Sequence, residues 1–341
     1  MEDDRTKSID VISNDCDRRA EDGTSLGEKF RTISMFSGCG GMDLGFLGGF
    51  DYLGVAYPKL PFELVAAYDN DAKCKRTYEK NFAHSLSLCD LKAAKVEEFP
   101  SADVLIGGFP CQEFSICGPR GGIDSHRGGL FRAMSRYARI HKPKVIVAEN
   151  VAHLARINNG RDLATIRHSL ARAGYRTAIW TIYAPDYGIP QARTRLVILG
   201  VRSDIKGMPN KPLGTFVESP RGIAAACDDL KHICDESVPN QSQYFKAGYA
   251  KNGHGQGDEK NRANEPAYTI RANSRSRVQF HYELDRRLTV RECARIQSFP
   301  DTFVFPDEPT PSIRQIGNAV PPVLAHTLAS SISIFLKNIE G

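Results

Sequence analysis

The sequence predicts an α/β protein: one sheet of buried strands with helical crossovers, and a smaller lobe of different composition late in the chain. Short apolar runs at 32–36, 63–68, 104–106, 143–148 and 196–201 each stop at a glycine, a polar residue or an acid, as strands buried inside a sheet do. Stretches with helical spacing fall between them at 72–82, 130–140 and 163–173, and that alternation marks parallel strand–helix–strand units. Periodicity then fades over 201–286, where Gly, Asn, Gln and Ser rise. This segment is expected to be the separate lobe, with 31–200 and 287–341 sharing the main domain.

Length and composition narrow the class. With 341 residues, 41% hydrophobic and 9% aromatic content, the chain can bury a substantial core. Residues 1–30 carry nine acids against five bases and read as a polar tail with no chemistry of their own. No apolar run is expected to reach membrane-spanning length, and Met1-Glu2-Asp3-Asp4 lacks the basic-then-apolar order of a signal peptide, which points to the cytoplasm. Nine cysteines include no Cys-x-x-Cys pair, so reduced thiols are expected, with neither a disulfide framework nor a metal site. Lys plus Arg exceed Asp plus Glu by 45 − 40 = 5, an excess that permits a polyanionic partner.

The centre of the chain is Gly107-Gly108-Phe109-Pro110-Cys111-Gln112, directly after Val104-Leu105-Ile106. This places Cys111 at the carboxyl edge of a strand, where α/β sheets hold ligands. Pro110 fixes its own φ and drives Phe109 toward extended geometry, so the thiol is presented at a set angle. A lone cysteine is more often a buried structural residue, but a second reactive type lies close by. The strand at 143–148 ends in Glu149-Asn150-Val151, and a helical crossover between the two strands makes their carboxyl ends neighbours. An uncompensated carboxylate there keeps its proton more readily, as a donor needs. The intervening segment, 113–129, holds five glycines and is expected to be a lid.

Upstream, the strand at 32–36 runs into Ser37-Gly38-Cys39-Gly40-Gly41-Met42-Asp43. Glycines at such a strand-to-helix turn let a ligand approach the backbone. Asp43 stands where a dinucleotide fingerprint wants its third glycine, which disfavours a pyrophosphate ligand and a nicotinamide oxidoreductase. Asp69, in Asp69-Asn70-Asp71 after the strand at 63–68, is placed either to hold a ribose diol or to cap the next helix. Asp90 closes a short candidate strand at 86–89. Further on, Gln191-Ala192-Arg193-Thr194-Arg195 puts two arginines at alternate positions, on one face of the following strand. They are either surface charges or guanidinia that hold a carboxylate or a base. Within the small lobe, 260–277 carries Lys260, Arg262, Arg271, Arg275 and Arg277 against the single acid Glu265, a mixture suited to phosphate and base-edge contacts as well as to a solvated loop. Thr289 is a candidate N-cap, and Gln315 to Pro322 is expected to open a C-terminal helix reaching about Leu336.

Taken together, Phe36 to Gly41, Gly108-Phe109-Pro110-Cys111-Gln112, Glu149-Asn150-Val151, Gln191-x-Arg193-x-Arg195, Arg287 to Pro300 and Gln315 to Pro321 resemble the ordered motifs of the DNA (cytosine-5) methyltransferases, from about residue 31 to the C-terminus. Six motifs in family order are highly specific. The resemblance implies a Rossmann-like mixed sheet that binds S-adenosylmethionine, giving S-adenosylhomocysteine as product, with 201–286 as target-recognition domain. It implies transfer of a methyl group to C5 of a cytosine flipped out of duplex DNA. Cys111 is the nucleophile toward C6, Glu149 acts at N3, Arg195 holds the base, and Arg193 supports the loop or the carboxylate. Cofactor contacts fall on Phe36, Gly38, Cys39, Gly40, Gly41, Asp69, Asn70, Asp90, Leu91, Pro110, Asn318 and Ala319. DNA contacts fall on Cys117, Arg127, Thr269, Arg271, Arg275 and Arg277. The family usually has Glu where this chain has Asp69. A monomer is implied, acting in the cytoplasm beside a separate restriction endonuclease whose cuts it prevents. A transfer-RNA cytosine-5 methyltransferase shares the catalytic motifs, but its Cys-Phe-Thr signature is absent from the recognition region, and a silent DNA-binding protein is disfavoured because every catalytic position is filled.

Overall fold

The structure is a computed structural model that describes residues 29–110, 130–244, 260–272 and 280–340. Nine strands and eight α-helices are found there. In chain order they are β1 (Phe30–Met35), α1 (Gly41–Leu47), β2 (Phe50–Tyr52), β3 (Val55–Tyr57), β4 (Phe62–Asp69), α2 (Ala72–Asn81), β5 (Ser87–Leu88), β6 (Val104–Gly108), α3 (Phe131–His141), β7 (Val145–Val151), α4 (Arg161–Arg172), β8 (Tyr175–Tyr183), β9 (Thr194–Arg202), α5 (Ala224–Cys227), α6 (Val290–Ile296), α7 (Pro309–Asn318) and α8 (Pro322–Glu340). Seven strands form one sheet in the order β5-β4-β1-β6-β7-β9-β8. The pairs from β5 through β7 are parallel, whereas β9 runs antiparallel to both β7 and β8. This is the mixed Rossmann-like sheet that the sequence predicts.

Alternation along the central strands divides the core. Val104, Ile106, Val145, Val147, Val197 and Leu199 face α1 and α8, meeting Phe46, Leu328 and Ile332. Leu105, Ile146, Ala148 and Ile198 face α3 and α4, meeting Met134, Tyr137, Ile166 and Leu170. Burying each large apolar side chain contributes about 1.5–3 kcal/mol, and strands covered on both faces become the continuous apolar runs seen in the sequence. A third cluster joins Ile223, Ala226, Ala267 and Ile270 to Leu288, Phe299, Phe305 and Ile316.

Helix ends follow their local chemistry. Asp71 caps α2 by accepting from Lys73 N at 2.8 Å. Thr289 caps α6 in a reciprocal box, accepting from Glu292 N at 3.0 Å while Glu292 accepts from Thr289 N at 2.9 Å. The C-terminal region departs from expectation. Gln315 to Asn318 end α7 rather than open a helix, Ala319 is extended, and α8 starts afresh at Pro322. Pro321 and Pro322 account for this: the residue before a proline is driven out of the helical region, while proline itself suits a first helical turn. The β2–β3 hairpin also escapes prediction. No uninterrupted apolar run spans a membrane's thickness, although Pro309–Glu340 contains a window apolar enough by mean composition to do so. Its side chains are core instead, 72% of that window being buried. Among the described residues Cys39, Cys74, Cys89, Cys227, Cys234 and Cys293 are free thiols.

Candidate active site

β6 and β7 lie side by side, with Gly108 opposite Glu149. Glu149 is 6% exposed, and its Oε1 lies 2.8 Å from Arg195 Nε on β9. Antiparallel register pairs Arg195 with Val151 and Glu149 with Val197, so the two charges are diagonal neighbours on one face, within reach of long side chains. The contact is an ion pair without the alignment of a hydrogen bond, and Oε1 accepts none of good geometry. Glu149 is therefore compensated, contrary to the isolated carboxylate expected above; the cross-strand register that supplies Arg195 is not visible in residue spacing. A Cβ at position 108 would lie 3.3 Å from Glu149 Oε2, so Gly108 keeps the space above the carboxylate clear. Next in the chain, Asn150 Nδ2 donates to Phe109 O at 3.1 Å. This bond ties the turn leading to half-buried Pro110 onto the neighbouring strand, and Asn150's place beside Glu149 is the signal that could have identified it. Cys111, Cys117 and Arg127 lie outside the described residues, as does the segment 113–129.

The second arginine has a different task. Arg193 is 2% exposed and donates to Ile270 O at 3.3 Å and to Gly317 O and Ala319 O at 3.0 Å each. It pins two backbone segments. Gln191, which sequence reasoning passed over as a site residue, completes the junction. Its Oε1 accepts from Ile270 N at 3.0 Å and its Nε2 donates to Gln297 Oε1 at 2.5 Å, while Gln297 Nε2 donates to Ala319 O at 2.6 Å. Thr269 adds a hydroxyl donation to Ala192 O. Arg271 is exposed, and its backbone packs against Gly317 so tightly that a Cβ there would fall 2.5 Å from the Arg271 carbonyl carbon. Arg275 and Arg277 lie outside the described residues.

At the first turn, Phe36 and Gly38 adopt positive φ of 58° and 56°. Phe36 is half-buried, and a Cβ at Gly38 would meet nothing within 4 Å, so this turn borders open space. Asp69 Oδ2 accepts from Gly38 N at 2.8 Å and Oδ1 from Asp71 N at 3.0 Å. Its carboxyl is raised above the usual range by burial, against the pull of those N–H groups. Asn70 and Asp90 are exposed beside it, and Leu91 is buried. Asn318 is exposed and Ala319 half-buried.

The neighbouring glycines are close-packed. A Cβ at Gly40 would strike the Phe82 ring at 2.3 Å and one at Gly41 the Val320 carbonyl oxygen at 2.4 Å. Cys39 is 1% exposed, its Sγ 3.8 Å from Gln315 O, and burial pushes its thiol up to about 12. Small residues are needed here because α2 and the Ala319–Val320 segment press on the turn. Asp43, buried below, accepts from Ser34 Oγ and Tyr78 Oη at 2.6 Å each.

Comparison with known proteins places this geometry. The sequence pattern of the family described as C-5 cytosine-specific DNA methylase matches residues 30–334. Type II methyltransferase M.BspRI of Lysinibacillus sphaericus is 32% identical, the alignment covering 90% of this chain and 82% of that protein. Type II methyltransferase M.NgoFVII of Neisseria gonorrhoeae is 31% identical, covering 93% and 90%. Among solved structures, the Entamoeba histolytica methyltransferase EhMeth superposes with a TM-score of 0.68 at 16% identity over 90% of this chain and 99% of its own. The S. pombe Dnmt2 methyltransferase does so with a TM-score of 0.62 at 17% identity over 92% and 100%. At those identities the structural likeness concerns the fold alone. The family pattern, however, runs unbroken from β1 into α8 and through every motif just described, and the chain belongs to the C-5 cytosine-specific DNA methylases, methyltransferases that depend on S-adenosylmethionine.

Proposed function

We propose that the protein methylates C5 of a target cytosine in duplex DNA within a type II restriction–modification system, protecting host DNA from a separately acting endonuclease. The observation that carries this reading is the buried Glu149–Arg195 pair at the sheet edge, one strand away from the turn that leads into Cys111. Cytosine C5 is a poor nucleophile. Addition of the Cys111 thiolate to C6 makes the ring an enamine, which is reactive at C5; once C5 carries the methyl group, loss of the C5 proton to a base expels the thiolate, breaking the Cys111–C6 bond and restoring the aromatic ring. Glu149 gives a proton to ring N3 as charge develops there, from Oε2, the oxygen that faces the space Gly108 leaves clear while Oε1 is held by Arg195. Arg195 holds that carboxylate in place and balances its charge. Because C6 is buried in the base stack, the cytosine must be flipped out, at a cost of a few kcal/mol.

The open space at Gly38, the half-buried Phe36 ring and the Asp69 carboxylate fit a nucleoside without phosphates. S-adenosylmethionine bound there supplies an electrophilic methyl group on a sulfonium. Phe36 would lie against adenine, Asp69 near the ribose, Asp90 and Leu91 near the adenine edge, and Pro110, Asn318 and Ala319 near the methionine. Asp69 already accepts two backbone N–H groups, so a ribose hydroxyl would share an oxygen with one of them. Target choice is assigned to residues 201–286, with Thr269 and the arginines at 271, 275 and 277 supplying contacts and Cys117 and Arg127 closing from the other side. The protein is taken to act as a monomer in the cytoplasm. Incubation with tritiated S-adenosylmethionine and either duplex DNA or transfer RNA tests the reading. Label in 5-methylcytosine of DNA is expected; label in RNA alone, or in neither, overturns it.

A further inference from the structure

The outer layer of α3 and α4 carries a charge that the reaction does not use. Residues 131–176 contain ten Lys and Arg against two acids, and both acids, Glu149 and Asp162, are buried at 6% and 4% exposure. Arg132, Arg139, Arg161, Arg167 and Arg172 are exposed. The two helices pack side by side, Ser135 Oγ meeting Ser169 Oγ at 2.5 Å, and helical spacing lays Arg132, Arg136 and Arg139 along one stripe and Arg161, His168 and Arg172 along another. Acids on the neighbouring elements are largely matched already, Glu98 to Lys95, Asp103 and Glu340 to Lys144, and Asp204 to Arg202. Like charge gathered on one face opposes folding slightly and attracts a polyanionic partner.

The face is also continuous with the site. From Glu149 the chain passes directly through two 3-10 turns, Ala152–Ala155 and Ile157–Gly160, into Arg161 at the start of α4. We propose that the outer face of α3 and α4 is a second, sequence-independent DNA contact, taking the phosphates of duplex that flanks the target. The inference rests on the reading of the protein as a DNA methylase. From Arg161 to Arg172 the helix rises roughly 16 Å, about five base pairs of duplex. Such a strip holds the enzyme on DNA between targets without influencing which base is flipped.

The test compares the wild type with the triple variants Arg139→Gln/Arg161→Gln/Arg172→Gln and Arg139→Lys/Arg161→Lys/Arg172→Lys. Affinity for a long duplex without a target is measured against salt concentration, and methyl transfer is measured on a short duplex that contains only the target. Each phosphate contact adds about 0.9 to the salt slope, so the Gln variant should flatten it by about 2 to 3 and the Lys variant should restore it, with turnover on the short duplex unchanged in both. An unaltered slope in the Gln variant overturns the proposal. Failure of the wild type to methylate the short duplex would instead remove the DNA methylase reading itself, whatever the slopes.

Discussion

Arg195 reaches diagonally across the antiparallel pair β7–β9 to set its Nε 2.8 Å from Glu149 Oε1. Strand order makes this possible. Had β9 run parallel to β7 like the strands before it, Arg195 would begin its strand at the opposite edge of the sheet, far from the carboxyl ends where Glu149 sits. The reversed strand thus delivers a cation to an edge that otherwise collects acids and glycines.

Glu149→Gln keeps the shape of the side chain while removing its acid. Turnover is expected to fall by about two to four powers of ten, the range for general acid–base catalysis, with much smaller change in DNA affinity. Single-turnover rates and equilibrium binding on one duplex check this. Equal losses in both would give Glu149 a structural role.

Cys111 lies outside the described residues, and its role is tested by chemistry. With S-adenosylmethionine present, a duplex carrying 5-fluorocytosine at the target should trap the protein in an adduct stable to denaturant, because fluorine cannot leave as the proton does. Cys111→Ser should abolish the adduct. Adduct formation by the variant would remove Cys111 as nucleophile.

Asp43 gives the fold a pH signature. Burial pushes its carboxyl up from 3.8 to about 6, with the Ser34 and Tyr78 hydroxyls pulling the other way. Between about pH 4 and pH 6 the folded chain keeps a proton that the unfolded chain has lost, so this group's stabilisation is complete below the window and declines as pH rises through it. Asp43→Asn is neutral throughout. Its unfolding free energy relative to wild type should therefore increase from about pH 4 to pH 7, by on the order of 3 kcal/mol. A difference that does not change with pH would show that Asp43 does not titrate in this range.

What the sequence reveals follows from burial. The strands from β1 to β9 that lie inside the sheet are apolar on both faces and stand out as runs, whereas β2 and β3 are three residues each, with Val55 39% exposed, and leave no such trace. Prolines at 309 and 311 hide α7, although proline is well tolerated in a first turn. In the site, Glu149 is legible because an acid ends an apolar run. Its partner is not, because which residues face each other across β7 and β9 depends on register. The two arginines look equivalent in Gln191-x-Arg193-x-Arg195, but Arg193 precedes β9 and turns to the carbonyls of Ile270, Gly317 and Ala319. Gln191 carries no charge and gives no chemical hint that it bridges three segments.

Arg193→Lys tests the first part of that junction. An ammonium cannot serve three carbonyls spread over a guanidinium's fork, and buried acceptors left without donors cost about 1–3 kcal/mol each. A loss of about 3 kcal/mol is expected, read as a lower urea midpoint at unchanged slope. A midpoint shift below about 1 kcal/mol equivalent would show the junction to be held mainly by Gln191 and apolar contacts.

Gly317→Ala tests the second part, the contact between the Gly317–Ala319 segment and the stretch that carries Arg271. The added Cβ would sit 2.5 Å from the Arg271 carbonyl carbon and 2.6 Å from Ala272 N. Both are backbone atoms, so no rotamer can relieve the clash and the Arg271 stretch must move. Glu149 and Arg195 are held by β7 and β9 and stay where they are. If target choice lies in residues 201–286, methylation of the preferred duplex should slow while the ratio of its kcat/KM to that of singly substituted duplexes shrinks. A displaced base reader costs about 1–3 kcal/mol at one base position, so a compression of roughly tenfold or more at that position is expected. Measuring the ratio over a panel of substituted duplexes decides it: a slower enzyme with undiminished discrimination would place target choice outside the stretch that Gly317 supports.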